Sequence, residues 1–241
     1  MINILKKIKS SLIFFKNSLK RFFYRAPSSW LNMNKPFSKV FGFDRGSPID
    51  RKFIDDFLLH NSQVIKGSLL EIGDDQYTVK YGSDLQRVVV LAGKGSKKDS
   101  ISYAGDLTNP DSLLSIGSFD CVIATNVLNF IFDFDSAVHG LSTLVKTRSG
   151  TVLATVAGGV SQVSRYDYER WGDYWRFSDM SIQKIFQKYF NRVEVQTFGN
   201  APLAAAFIMG LAKEEIPSHL FKIHDPDYQI LITIKASLPK S

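Results

Sequence analysis

The chain has 241 residues, 44% hydrophobic and 22% charged, which suits one globular domain with extensions. Its net charge of +7 is localised: residues 1–25 hold seven lysines and arginines and no acid, and the other 23 basic residues equal the 23 acidic ones, which argues against a nucleic-acid-binding core. A single cysteine, Cys121, rules out an intrachain disulfide and fits a reducing, cytosolic compartment; four scattered histidines without CxxC or HExxH argue against a metal site.

Residues 1–25 place Ile4, Leu5, Ile8, Leu12, Phe15, Leu19, Phe22 and Phe23 at spacings of mostly three and four, with lysines between them. That pattern predicts a basic amphipathic helix. It has no uninterrupted apolar run long enough to span a bilayer or to act as a secretory signal. Such a helix can lie on the anionic inner face of a membrane, dock on a partner, or pack on the protein's own body. Residues 26–47, with Pro27, Pro36, Gly42 and Gly46, read as an irregular linker.

A domain is expected over 48–236, with 237–241 as a tail. Ser47-Pro48-Ile49-Asp50 looks like a helix start with serine as its cap, and that helix should run to about Asn61. Strands are expected at 68–73, 87–91, 100–104, 119–124, 151–156, 193–198 and 228–234, and further helices at 135–145, 178–189 and 204–212. The alternation predicts an α/β fold with a seven-stranded, mostly parallel sheet and helices on both faces. The last two strands lack a helical crossover, which predicts an antiparallel edge. Cys121 sits in an apolar run and reads as a small buried hydrophobe.

The run Ser68–Asp75, SLLEIGDD, ends an apolar strand on an acid and a glycine, the position where open α/β sheets bind ligands. With FDCVIATNVL (Phe119–Leu128) and Gly105-Asp106-Leu107, it resembles the class I S-adenosylmethionine-dependent methyltransferases, which have a Rossmann-like fold. FGFDRGSPIDR (Phe41–Arg51), EIGDDQYT, RYDYERWGDYWRFSD (Arg165–Asp179), FGNAPLAAAF and HDPDYQ resemble more narrowly a bacterial, type 11-like group linked to glycan and polysaccharide assembly. The resemblance implies S-adenosylmethionine as cofactor. It implies contacts from Glu71, Gly73 and Asp75 at the first turn, from Asp106 and Leu107 beside adenine, and from Asn126 near the reacting methyl group. It also implies O-methylation of a glycan or glycolipid precursor.

The chain departs from the pattern at two places. Asp75 and Tyr77 stand where two further glycines usually fall, and Leu91-Ala92-Gly93-Lys94-Gly95 has no acid to hold the ribose hydroxyls. The missing pair of hydrogen bonds costs about 1.5–3 kcal/mol. A methyltransferase-like scaffold that has lost catalysis, binding a glycosyltransferase or membrane partner through residues 1–25, therefore stands beside the enzyme reading. The aromatic segment after the fifth strand should overhang the pocket, where Trp171, Tyr174, Trp175 and Arg176 suit sugar stacking and hydroxyl recognition, or else simply fold a loop. Asp173 is the expected general base, with His224 as a further substrate contact.

Overall fold

The computed structural model describes residues 33–92 and 100–240; the predicted arm over 1–25 and the Gly93–Asp99 stretch lie outside them. The chain divides into two compact units, Met1–Pro36 and Phe37–Ser241, and the whole sheet belongs to the second. Strands β1 (Lys66–Ile72), β2 (Ser83–Leu91), β3 (Ile101–Tyr103), β4 (Cys121–Thr125), β5 (Thr151–Ala157), β6 (Phe190–Phe198) and β7 (Leu231–Pro239) form one sheet in the order β3-β2-β1-β4-β5-β7-β6. The first five are mutually parallel, while β7 runs antiparallel to both β5 and β6. The expected antiparallel end of the sheet is thus present.

The centre of the sheet is mostly apolar because helices cover both of its faces. Every residue of CVIA in β4 and of TVLATV in β5 is buried. Alternation along the strands sorts them into two cores. Leu69, Cys121, Ile123 and Leu153 pack with Ile49, Phe53, Ile54 and Phe57 of α1 (Ile49–His60), and with Leu203 and Phe207 of a later helix. On the other face, Leu70, Val122, Ala124 and Val152 meet Ala137, Val138 and Leu141 of α3 (Phe134–Thr143), and Ile182, Ile185 and Phe186 of α5 (Asp179–Tyr189). A short α2 (Gln76–Tyr81) follows β1, and a four-residue α4 (Arg165–Tyr168) lies in the aromatic segment.

Several boundaries differ from the sequence reading. Ser47 does not cap α1; Pro48 holds that position, and the Ser47 amide instead donates to Glu214 Oε2 at 3.0 Å. The helix expected over 204–212 is α6, Ala201–Ile208, started by Asn200, whose Oδ1 accepts from the Leu203 amide at 3.0 Å. It stops before Gly210, whose φ of +74° suits a residue without a side chain. Strand β7 runs to Pro239 rather than Ile234, because Lys235 pairs with Leu153 on one side and with Glu194 on the other. Among the described residues, no helix is long and apolar enough to cross a membrane.

Candidate functional site

The first turn is built around a buried acid. Glu71, 2% exposed, points into the N-terminus of α2, where its two carboxylate oxygens accept the Tyr77 amide at 3.1 Å and the Thr78 amide at 2.7 Å. Those amides would otherwise be unpaired at a helix start. Burial outweighs the pull of these bonds and holds the Glu71 carboxyl up to about 7. Asp75 is also buried, and its Oδ2 accepts from Ser100 Oγ at 2.7 Å. Between the two acids, Gly73 has a φ of +93°, and among the described residues no heavy atom beyond its chain neighbours lies within 4 Å of where a Cβ would stand. Its amide donates to the Leu91 carbonyl at 2.9 Å, tying the ends of β1 and β2 together. The acids shape the turn, and the glycine leaves open space beside it.

Asp106 is exposed, and its Oδ1 accepts from the amide and the hydroxyl of Thr108, each at 2.8 Å. Leu107 is buried, packed where α3 passes close at Gly140. At the end of β4, Asn126 takes the left-handed conformation, φ +52°. Its Oδ1 accepts from Thr155 Oγ1 at 3.2 Å, and its Nδ2 donates to Asp50 Oδ2 at 3.2 Å. Asn126 lines a cavity of about 300 Å³ outside the ends of β4 and β5.

The polar lining of that cavity includes Asp50, Arg51, Asn126, Asn129, Asp173 and Arg176, with Thr125, Ser161, Ser164 and Asp167 beside them, and Phe41, Phe43 and the Tyr166 ring are among its other walls. Arg51 donates to Tyr77 Oη at 3.0 Å, which links α1 to α2. Burial pushes the Asp50 carboxyl above the usual aspartate range, against the pull of the Arg51 charge and the Asn126 amide. Asp173 is fully engaged: its carboxylate accepts from Arg176 at 2.6 and 2.8 Å and from the Ser164 amide at 2.7 Å. This pair staples the two ends of the aromatic segment together.

The aromatic residues divide into an anchor and an outward rim. Trp175 donates its Nε1 to the carbonyls of Ile131 and Phe132, both at 3.1 Å, and stacks edge-on to Phe134 with centroids 5.2 Å apart. Tyr174 and Trp171 face outward, 52% and 63% exposed, and Tyr174 rests against Phe132. His224 lies elsewhere, on the β6 edge, where its Nε2 meets Thr197 Oγ1 at 2.8 Å.

Of the residues predicted from sequence, Asn126, Asp173 and Arg176 share the cavity. Glu71, Gly73, Asp75, Asp106 and Leu107 lie at and beyond the ends of β1–β3, and His224 joins neither group. Sequence reasoning passed over Asp50, Arg51 and Asn129. An acid in the first turn of a helix reads as a response to the helix dipole, and only the fold brings Asp50 against Asn126.

No family model matches the chain, and no curated protein matches it in sequence. Solved structures do. A candidate methyltransferase of Thermobifida fusca matches with a TM-score of 0.51 at 12% identity, over 90% of this chain and 100% of that one. The N-methyltransferase NodS of Bradyrhizobium japonicum, solved with S-adenosyl-L-homocysteine, gives 0.49 at 14% identity over 86% and 94%. A candidate methyltransferase of Haloferax volcanii, solved with the Trm112 activator, gives 0.48 at 14% identity over 79% and 94%. Identities this low speak to architecture, and by strand order and by the Thermobifida match the chain has the Rossmann-like fold of the class I methyltransferases.

Proposed function

We propose that this protein transfers a methyl group from S-adenosylmethionine to a hydroxyl of a glycan or glycolipid acceptor. The observation that carries the reading is the juxtaposition, on the carboxyl edge of one sheet, of the open Gly73 turn and the Asp50–Asn126 cavity. The residues fit such a cofactor at the turn. The space beside Gly73, which any side chain would fill, lets a ligand approach the backbone, while Asn126 lies at the end of the adjoining β4 and Asp106 beyond the end of β3, two strands from β1 on the other side. When bound, the cofactor supplies an activated methyl group, and the chain's own task is alignment, exclusion of water and removal of one proton. Glu71 and Asp75 act one step back, by holding the turn and α2. The exposed rings of Tyr166, Trp171 and Tyr174 support a sugar acceptor, since aromatic faces stack on sugar rings. The basic sequence of residues 1–25 supports placement at the inner membrane face, beside a lipid-linked acceptor or a glycosyltransferase.

One observation favours a scaffold that has lost catalysis. Strand β2 ends in buried Leu91 followed by Ala92, so among the described residues of that strand end there is no carboxylate for the ribose hydroxyls. Calorimetric titration of the full chain with S-adenosylmethionine and S-adenosylhomocysteine separates the readings. Micromolar binding weakened by Gly73→Val supports the enzyme. No heat at millimolar ligand supports the scaffold and directs attention to membrane and protein partners.

A further inference from the structure

Among the described residues, four buried side-chain atoms lack a hydrogen-bond partner: Asp50 Oδ1, Asn129 Oδ1, Arg176 Nε and Thr78 Oγ1. The residues bearing the first three all line the cavity at the ends of β4 and β5. Asn129 is 4% exposed, so its amide oxygen has no ready access to bulk water. Leaving a buried polar atom unpaired is costly, and such atoms gathered around one space mark a place where something else completes them.

Their chemistry limits what that can be. Asp50 Oδ1 and Asn129 Oδ1 accept, and Arg176 Nε donates. An ammonium group offers only donors and would leave Arg176 unpaired beside a second positive charge. A phosphate or carboxylate offers only acceptors and would face the Asp50 carboxylate. A pair of hydroxyls supplies two donors and an acceptor at once. The cavity, at about 300 Å³, has room for one ring rather than an oligomer.

On the reading that the protein is a methyltransferase, we infer that this cavity seats a neutral sugar ring by two of its hydroxyls, and that Asp50 takes the proton from the one that is methylated. The hydroxyl oxygen forms a bond to the methyl carbon as the carbon–sulfur bond breaks, with that electron pair staying on sulfur. The hydroxyl proton passes to Asp50 Oδ1, the oxygen that has no other partner. Asn129 and Arg176 hold the neighbouring hydroxyl. Asp173, saturated by Arg176 and the Ser164 amide, is a positioning residue that fixes the guanidinium.

The test uses the full chain with S-adenosylhomocysteine present, and saturation-transfer NMR against neutral methyl hexopyranosides of differing configuration and their 2-amino counterparts. At least one neutral glycoside gives signal, and Asn129→Leu weakens it roughly ten- to a hundredfold, with S-adenosylhomocysteine affinity unchanged. With S-adenosylmethionine and that glycoside, Asp50→Asn keeps glycoside affinity within a few-fold and slows transfer about 10²–10⁴-fold. Silence from every neutral glycoside, preference for the amino sugars, full affinity in Asn129→Leu, or wild-type transfer in Asp50→Asn each overturns the inference. A wild-type chain that ignores S-adenosylhomocysteine defeats the methyltransferase reading instead. Glycoside binding in the cavity is still read separately in that case.

Discussion

Replacing Glu71 by glutamine should remove a pH dependence from the stability of the whole fold. The carboxyl titrates near 4.5 when the chain is unfolded and near 7 when folded, because burial opposes its charge. At 1.36 kcal/mol per pH unit, that difference is worth about 3 kcal/mol. The sign follows from proton binding: between the two values the folded chain keeps a proton that the unfolded chain has lost. The contribution is therefore fully present below about pH 4.5 and is lost as pH rises through about 7. Glutamine cannot titrate, and it forfeits one of the two amide contacts to Tyr77 and Thr78, a constant penalty of about 1 kcal/mol. Urea unfolding followed by tryptophan fluorescence, run from about pH 5 to pH 8, gives the free-energy difference between the two proteins at each pH. The wild type should lose more than about 2 kcal/mol relative to Glu71→Gln across that range. A flat difference would refute the reasoning, since it would mean that the two amides keep the carboxylate ionised throughout.

Other perturbations probe the remaining parts. Asp173→Asn leaves Arg176 without its charge partner and should cost about 3 kcal/mol by denaturation, near the lower end for a buried pair because the guanidinium is partly exposed; a loss under about 1 kcal/mol would show that the pair staples nothing. Gly73→Val forces a side chain into the left-handed conformation at a cost of about 1–2 kcal/mol, and it should weaken S-adenosylhomocysteine binding more than tenfold; unchanged affinity would remove Gly73 from the cofactor turn. Asn200→Ala removes the cap of α6 and two hydrogen bonds of 2.8 Å to the Leu220 and Ile223 carbonyls. A loss of about 2–4 kcal/mol is expected in thermal or urea unfolding. Cys121 is wholly buried, and burial pushes its thiol up, so it should react with a thiol reagent only at the rate of unfolding.

The sheet was legible because its central strands are buried on both faces, so runs such as CVIAT and TVLATV, interrupted only by threonines, carry a strong apolar signal. Strand ends were less so: the last strand reads as stopping at Ile234 and 237–241 as a tail, yet pairing keeps Lys235–Pro239 in the sheet. The early start of α6 was written in Asn200-Ala201-Pro202, a cap followed by a first-turn proline, and was overshadowed by the alanines after it. The cavity is the part that local pattern could not supply. Asp50 and Asn126 are 76 positions apart, and only the crossing of α1 over the sheet edge makes them neighbours. Asp173 and Arg176 were legible as an interleaved charged pair, but their mutual saturation depends on how the segment folds back to Ser164.

The position of β7 between β5 and β6 has a consequence for biosynthesis. The sheet has a vacant interior slot until residues 231–239 arrive, because β7 lies between β5 and β6 and β6 joins the sheet through β7. A ribosome-bound chain that has made only the first six strands leaves the β7-facing edge of β5 open and β6 unpaired on both sides, all rich in ladder groups that recruit foreign strands. Loss of a few C-terminal residues would then detach a folded edge rather than fray one. Chaperone dependence and aggregation in shortened chains should rise abruptly once truncation passes into Leu231–Pro239, not gradually with length.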